Sequence, residues 1–411
     1  MSLVAPFRAL HYQPNTIGNL SDLITPPYDV ISPEEASRFR SRSPYNFAHI
    51  ILPQKPDEDY TKQAAVLQHW KKTGILSSDP VPSYYLYQQT FTVDGISHQR
   101  RTLMASVQLH DFKDGIIRPH ENTHGKHKAD RLQLLRQSRT NLSHIFAMVK
   151  DAEGALQSAF ERWMFHPPYL KAVSGDGIEH VLWREEGTKA EALTNFFENK
   201  PLYIVDGHHR YESSVMYARE QNALGDPSHP ASRGLFAIAN VFDPALVVFP
   251  THRLVKSVPW KEVTRERVEK AFSLSALDYD ELKSFLKSPH ELPRFGLFAW
   301  GQLFLATPRD WKSAERSAGK SVAKLSVYWS DEGILKNMCG IEEQERSTKI
   351  TYDKSPDSLW EKRTPTDLIV FHAPPAIVAI TDVADESKYM PQKSTYFYPK
   401  LWAGLTMREL L

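Results

Sequence analysis

The chain has 411 residues, more than one hydrophobic core usually holds, so we expect two or three domains. Charged residues make up 24% of the chain and the formal net charge is +1, which excludes a strong overall attraction to nucleic acid or anionic lipid. The single cysteine, Cys339, excludes a disulfide framework and a cysteine metal cluster within one chain. Because no apolar run reaches about 18 residues and the N-terminus lacks a signal-peptide pattern, the sequence predicts a cytoplasmic protein without membrane or nucleic-acid partners.

The first 80 residues predict short, mixed elements. The segment Ile24–Ile31 contains two prolines, which exclude a central strand and favour a stiff turn in which Asp29 can face a cleft. Ser32, followed by proline and two acids, is typical of a helix start. The pattern then predicts a strand over Asn46–Leu52 and a helix over Asp59–Lys72.

An antiparallel hairpin is predicted next. Tyr84–Val93 is rich in residues that favour strands, Asp94 and Gly95 form a strong turn signal, and Arg101–Leu109 supplies the return strand. A polar loop and a short basic helix over Asp130–Arg139 follow.

Strands and helices alternate between residues 143 and 225. The predicted strands are His144–Val149, His180–Arg184 and Pro201–Val205. The last of them runs into a glycine turn and a helix over Tyr211–Ala223.

The pattern changes after residue 225, toward antiparallel pairs. We expect strands over Gly234–Phe242 and Leu246–Pro250, a helix over Trp260–Phe272, and a hairpin over Gly296–Ala306. Polar residues at later strand ends, such as His252, are interpreted as structural. The fold class is therefore mixed α/β (α+β mixed), with an N-terminal α/β domain over residues 1–225 and a C-terminal α+β domain over residues 226–411.

The segment from Asp206 to Arg210 is the strongest candidate for a functional site. Gly207 permits a tight turn with positive φ, and the helix that follows directs its first N–H groups at one spot, which suits an anion. Arg210 adds a bidentate fork for phosphate, and His208 and His209 exchange protons near neutral pH. Asp206 is suited to hold a magnesium ion or to orient a histidine. The alternative is a capped helix with a structural ion pair.

A second polar cluster lies in the loop after residue 117. Glu121 is a candidate general base toward a substrate hydroxyl. His120, His124 and His127 suggest a zinc site, although zinc usually binds a more compact set. A solvated polar loop is the remaining alternative.

Many motifs, in one order and over nearly the whole length, resemble the bacterial family called domain of unknown function 1015. The motifs that carry this resemblance are Ile24–Ile31, Asn46-Phe47, Tyr85–Gln88, Pro119–Thr123, Asp130–Leu132, Tyr203–Tyr211, Pro250–Leu254 and Lys393–Lys400. The family name implies no established activity.

A more distant resemblance implies a function. Asp206, Gly207, His208 and Arg210 are similar to the phosphate-binding box of the ParB/sulfiredoxin superfamily, in the Asp-Gly-His-x-Arg form of the free serine kinases. The resemblance implies a ParB/sulfiredoxin-like phosphate-binding core embedded in a larger mixed sheet, beside the additional C-terminal α+β domain. His120-Glu121 resembles the kinases' His-Glu pair, whose glutamate is the base, although its distance from the box is much longer here. Sulfinic acid reduction needs a cysteine in the box, where His208 and His209 stand instead.

Together these features predict a phosphoryl-transfer enzyme, a nucleotide-dependent kinase of a small hydroxylated metabolite such as free serine, with ATP or ADP and magnesium as cofactors. The catalytic residues expected are Glu121, Asp206, His208 and His209. Gly207, His208, His209 and Arg210 are expected to hold the nucleotide. Substrate contacts are expected from His120, Asn122, Thr123, Asp29 and Arg131. The alternatives are a phosphatase or phosphohydrolase using the same site and a non-catalytic nucleotide-binding sensor; the oligomeric state is left open.

Overall fold

The computed structural model describes residues 2–53, 59–121, 125–186 and 191–411, and at residues 14, 15, 125–127 and 191 the backbone alone. The chain divides into two compact units. The first comprises Met1–Pro119, Thr123–Leu246 and Pro399–Leu411, and the second comprises His120–Asn122 and Val247–Tyr398. The predicted mixed α/β class is confirmed, because the first unit contains a large sheet with both parallel and antiparallel pairs.

The strands of the first unit are numbered in chain order. They are β1 (Val4–Ala5), β2 (Leu10–Tyr12), β3 (Leu76–Ser78), β4 (Ser83–Val93), β5 (Ile96–Gln108), β6 (Ile117–Pro119), β7 (Thr140–Asn141), β8 (Ile145–Val149), β9 (Leu170–Val173), β10 (Glu179–Glu186), β11 (Leu202–Asp206) and β12 (Arg233–Asn240). The large sheet has the order β6-β11-β8-β12-β5-β4-β10-β9, with β1 paired to β5. Only β6–β11 and β8–β12 are parallel among its described pairs.

The predicted hairpin is confirmed as β4 and β5. Val93 pairs with Ile96, and Asp94 and Gly95 form the two-residue turn with φ of 50° and 79°. Positive φ at both positions is what a tight hairpin turn of matching twist requires, so the Asp-Gly pair sets the register of the two longest strands.

The helices of the first unit surround this sheet. They are α1 (Pro14–Ile17), α2 (Pro33–Arg42), α3 (Ala48–Ile51), α4 (Thr61–Lys72), α5 (Gly125–Ser138), α6 (Ala155–Trp163), α7 (Glu191–Phe196) and α8 (His208–Glu220). The predicted start of α2 is confirmed, because the Ser32 hydroxyl accepts from the Glu35 N–H and the Glu35 carboxylate accepts from the Ser32 N–H.

The strand predicted over Asn46–Leu52 is wrong, because Ala48–Ile51 form the helix α3. The Asn46 side chain accepts from the Ala48 N–H at 3.0 Å and so begins a helical turn. Phe47, Ile50 and Ile51 are all buried, and a short apolar run of this kind has the same pattern in a buried helix as in a buried strand.

The last residues of the chain return to the first unit. Leu10 of β2 forms an antiparallel bridge with Met407, and Thr25 forms another with Ala403. A final strand, Arg408–Glu409, pairs with β7. Residues 226–246 and 399–411 were predicted in the C-terminal domain, but the structure groups them with the first unit. The reason is strand pairing: β12 pairs with β5 and β8, and the chain end pairs with β7.

The second unit has the antiparallel pairing of an α+β fold. Its strands are β13 (Val247–Phe249), β14 (His252–Val255), β15 (Phe272–Ala276), β16 (Phe295–Ala299), β17 (Gln302–Pro308), β18 (Ile350–Asp353), β19 (Leu368–Phe371) and β20 (Tyr396–Tyr398). Its larger sheet has the order β15-β17-β16-β19-β14-β18, and β13 pairs with β20. Leu297 and Phe298 pack in different clusters, as do Ile369 and Val370, because alternate residues of a strand face opposite sides.

Helices cover this second sheet. They are α9 (Arg265–Ala271), α10 (Tyr279–Phe285), α11 (Glu315–Ala318), α12 (Lys320–Ala323), α13 (Ser326–Tyr328), α14 (Arg346–Lys349), α15 (Pro356–Lys362) and α16 (Ile377–Asp385), with a π-helical segment at Trp329–Lys336. The helix predicted over Trp260–Phe272 is shorter than expected, because Thr264 caps α9 and Phe272 already belongs to β15.

Within the part of the chain that the structure describes, none of the helices has the length and apolar character that crossing a bilayer requires.

Candidate functional site

The candidate site lies at the carboxyl end of β11, between β6 and β8 in the sheet. Leu202 to Val205 are buried, and the strand ends at Asp206. Gly207 has φ of +86°, and α8 begins at His208. The first bond of the helix runs from the Tyr211 N–H to the Gly207 carbonyl at 3.0 Å, so the N–H groups before it point out of the helix end. The predicted strand, glycine turn and helix are therefore confirmed.

Gly207 is required by both its backbone and its surroundings. A side chain is strained at this φ, and an added Cβ lies 2.8 Å from Arg210 Nε and 2.9 Å from Cζ. The Arg210 guanidinium therefore packs directly under the turn that only glycine forms without strain.

The Asp206 carboxylate lies between two cations. Its Oδ2 accepts from Arg210 Nη2 at 2.5 Å, and its Oδ1 accepts from Lys400 Nζ at 2.5 Å. Burial alone raises the pKa of Asp206, but the charges of Lys400 and Arg210 outweigh it and hold this pKa well below the usual range of an aspartate. Asp206 is therefore a fixed negative charge.

A third cation, Arg100 of β5, belongs to the same region. It is buried and donates to the Pro399 carbonyl at 2.6 Å, directly before Lys400. Burial lowers the pKa of Arg100 to about 10, while Asp243 and Asp206 act in the opposite direction. The charges of Arg100, Arg210 and Lys400 thus all interact with Asp206, and together they outnumber Asp206 and Asp243.

Arg210 also contacts the neighbouring strand region. Its Nη1 donates to the carbonyl of His144, just before β8. Burial, and then the charge of Arg210, lower the pKa of His144 to about 3, so the His144 ring is neutral. Two of the Arg210 nitrogens are therefore engaged within the protein, which makes this side chain the link between the turn, β11 and β8.

The turn over residues 25–29 contains Tyr28, on which the charge of Arg210 acts. The Tyr28 ring lies 3.8 Å from the Arg131 guanidinium, and burial, with Asp29 as the next cause, raises the pKa of Tyr28 to about 12 against the charges of Arg131 and Arg210. Asp29 itself is exposed. The charges of Asp29 and Arg210 thus both act on the Tyr28 hydroxyl, and the substrate contact of Asp29 stays a prediction.

Arg131 is anchored by structural partners. Its Nε and Nη2 donate to Asp130 Oδ2 at 2.8 and 2.6 Å, and Nη2 also donates to the Tyr60 hydroxyl at 2.5 Å. The side chain is buried. This arrangement fixes the guanidinium against the Tyr28 ring, and the substrate contact of Arg131 stays a prediction.

His120 and Glu121 lie in the second unit. His120 is buried, with Nε2 3.1 Å from the Thr395 hydroxyl and 3.7 Å from Glu121 Oε1. Glu121 Oε1 also accepts from the Ser394 N–H at 3.3 Å. Asn122, Thr123 and His124, and the side chain of His127, lie outside the described residues, as therefore does most of the predicted zinc cluster.

The two histidines of the box differ in burial. His208 is buried, and its charge acts on Asp206, whereas His209 is half-buried at the first turn of α8. The His209 carbonyl accepts from the Ser213 hydroxyl at 2.7 Å. Both histidines begin α8 directly after the glycine turn, as the sequence predicts.

Asp206 does not fit the predicted magnesium role. Each of its oxygens already accepts a hydrogen bond from a cation, and a third positive charge acts on it. Among the described residues, no group of three or more His, Cys, Asp or Glu is placed to hold a metal ion. We therefore assign no step to a magnesium ion bound by this carboxylate.

Sequence reasoning missed Lys400, Arg100 and His144. Lys400 lies 194 residues from Asp206 along the chain, and pairing of the chain end with the first unit brings it there. A lone lysine after a short aromatic strand carries no local signal of this role. Arg100 lies within a predicted hairpin, where an arginine is usually solvent-exposed, so nothing in the local pattern indicates a buried role.

Solved structures that resemble this chain show low identity. A free serine kinase variant in complex with ADP is 14% identical with a TM-score of 0.36, covering 72% of this chain and 87% of that chain. A conserved hypothetical protein from Pyrococcus furiosus has the same identity and TM-score, covering 72% and 92%. SbnI with a C-terminal truncation, from Staphylococcus aureus, is 10% identical with a TM-score of 0.38, covering 74% and 87%.

No curated protein matches the sequence. The family model described as protein of unknown function (DUF1015) matches residues 4–328. This match covers most of the chain and confirms the resemblance that the motifs indicated. The protein belongs to the DUF1015 family.

Proposed function

We propose that the protein transfers a phosphoryl group from a nucleotide to a small hydroxylated metabolite, such as free serine. One observation carries the proposal: at the end of the strand before a glycine turn and a helix start, Asp206 bonds to both Arg210 and Lys400 and interacts with the charge of Arg100. Phosphate groups neutralise such an excess of buried positive charge, and a helix N-terminus adds backbone donors.

The side chains of the site take separate roles in this proposal. The first N–H groups of α8 and the charge of Lys400 hold the phosphates. Arg210 positions the turn, because it joins Asp206 to the His144 carbonyl under Gly207. Asp206 holds Lys400 and Arg210 in place. Glu121, by the resemblance to the free serine kinases, takes the proton of the acceptor hydroxyl while that oxygen bonds to the transferred phosphorus. The bond from this phosphorus to the nucleotide's bridging oxygen breaks, and the nucleotide leaves one phosphate shorter.

The activity test is incubation of the full chain with ATP or ADP, magnesium and single amino acids, followed by mass spectrometry of the products. A phosphorylated amino acid supports the kinase. Inorganic phosphate released without an acceptor product assigns the site to a phosphohydrolase. Nucleotide binding without turnover indicates a sensor, and absence of both binding and turnover contradicts all three.

Lys400→Met is expected to weaken nucleotide binding about 10- to 100-fold, because it removes a cation that acts on the phosphates. Isothermal titration calorimetry with ATP measures this change. The matched control is Lys72→Met, an exposed lysine at the end of α4. Equal affinities of Lys400→Met and the unsubstituted chain would remove Lys400 from the site.

Glu121→Gln is expected to lower turnover by a factor of about 10² to 10⁴ and to leave the nucleotide Kd nearly unchanged, because an amide cannot take the hydroxyl proton. Glu343→Gln, at an exposed position of the second unit, is the control. Unchanged turnover in Glu121→Gln rejects the base assignment while leaving the phosphate site intact.

A further inference from the structure

A second concave site lies wholly within the second unit. It is a cavity of about 450 Å³, a size typical of small-molecule sites, and apolar residues form most of its wall. The apolar lining includes Leu292, Trp311, Val327, Pro374 and Met390. Its lining includes Ser394, whose N–H donates to Glu121, but no side chain that has a role in the proposed phosphoryl transfer lines it.

Arg294 supplies an unpaired positive charge to this cavity. The residue is half-buried just before β16, and its side chain has no hydrogen-bond or ion-pair partner in the described ranges. Its Nε is buried without an acceptor. Lys324, exposed on the same wall, adds a second cation. A half-buried guanidinium without a counterion is poorly solvated, and a ligand carboxylate in the cavity would neutralise its charge.

The hydroxyl of Ser326 lines the cavity, and its hydrogen-bond direction follows from its neighbours. Its hydroxyl lies 3.2 Å from His372 Nδ1, and His372 Nε2 lies 3.1 Å from the Ser330 hydroxyl. Ser330 is buried and has two pure acceptors, the Val327 carbonyl at 3.0 Å and Asp331 Oδ1 at 3.3 Å. Because the single hydroxyl proton of Ser330 goes to one of these acceptors, Ser330 accepts from His372 Nε2–H.

The remaining nitrogen of His372 is then an acceptor. Burial, with the charge of Arg253 as the next cause, lowers the pKa of His372 well below its ordinary value, so the ring carries one proton, on Nε2. Ser326 therefore donates to His372 Nδ1 and turns its own lone pairs toward the cavity that it lines. A ligand group that meets Ser326 must be a donor.

We propose that this cavity binds a small carboxylic acid that bears an amino or hydroxyl group beside the carboxylate and an apolar side chain. The carboxylate pairs with Arg294, the amino or hydroxyl group donates to Ser326, and the side chain occupies the apolar wall. Glu291, exposed on the lining, favours the amino form by its charge.

Four probes that share one apolar body test this assignment in calorimetric titrations of the full chain. They are L-phenylalanine, L-3-phenyllactate, 3-phenylpropionate, which lacks the donor, and 2-phenylethylamine, which lacks the carboxylate. Saturable binding of L-phenylalanine or L-3-phenyllactate at least about tenfold tighter than the other two supports the proposal, and the better of the pair identifies the donor. Equal binding of all four, or no binding, overturns it.

Two variants locate the site. Arg294→Gln is expected to weaken L-phenylalanine about tenfold without changing 2-phenylethylamine, because only the former has a carboxylate. Ser326→Ala is expected to weaken L-phenylalanine but not 3-phenylpropionate. Arg316→Gln, an exposed arginine of α11 outside the cavity lining, is the control. If Arg294→Gln binds every probe as the unsubstituted chain does, the assignment is wrong, and a failure of phosphoryl transfer has no bearing on it.

Discussion

The free energy of unfolding is expected to fall steeply as the pH drops below about 6.5. Burial is the main cause that lowers the pKa of His144, His180 and His252 to about 3, so the folded protein keeps these rings neutral. The unfolded chain binds protons at about 6.5 and therefore takes up more of them below that pH. Stability is complete above about 6.5 and is lost progressively as the pH falls toward 3.

The expected loss is large for both units. At pH 5 each of these histidines costs about 2 kcal/mol, and a small domain is stable by about 5–15 kcal/mol in total. His144 and His180 act in the first unit, whereas His252 acts in the second, where the pKa of His372 is shifted in the same direction.

Urea unfolding followed by circular dichroism between pH 8 and pH 4.5 measures this dependence. In His180→Gln the loss between pH 7 and pH 5 is expected to shrink by about 2 kcal/mol, because one titrating ring is gone. His180 contacts the Tyr87 and Ser174 hydroxyls, which an amide can still bond. Equal stability at pH 7 and pH 5 would contradict the neutral, buried assignment of these rings.

Replacement of Asp331 by Asn is expected to destabilise the protein by about 3–5 kcal/mol. Asp331 is fully buried, with Oδ1 2.8 Å from Arg253 Nε and Oδ2 accepting from Arg346 Nη1 at 3.0 Å. Both arginines are themselves buried. The amide leaves Arg253 without the carboxylate it contacts and leaves Arg346 with only the more distant Glu332, at 3.6 Å. Loss of one member of such a buried group costs this much.

Urea unfolding at pH 7.5 measures the effect. The matched control is Asp280→Asn, which breaks an exposed ion pair with Lys283 and is expected to leave the stability nearly unchanged, because solvent screens such a pair. A loss below about 1 kcal/mol for Asp331→Asn would show that water or a conformational change compensates the arginines.

Local chemistry explains why several elements were predictable. The Asp94-Gly95 turn, the capped start of α2 at Ser32 and the glycine turn at Gly207 depend on neighbours within a few residues. The error at Asn46–Leu52 has the opposite origin, since burial of its apolar run depends on what packs around it. His252 and His372 are buried at strand ends, and the network that joins them to Asp331 brings distant segments together, which no local pattern indicates.

The sequence by itself determined the mixed α/β class, the family, and the position of the turn from Asp206 to Arg210, because each depends on local pattern. Only the tertiary structure decided how the charges of that turn are used. Lys400 reaches Asp206 because the chain end pairs with β7, and Arg100 reaches the same region from β5. Charge interactions act through space and not along the chain, so the surroundings of Asp206, and with them its low pKa, arise only once distant segments are folded together.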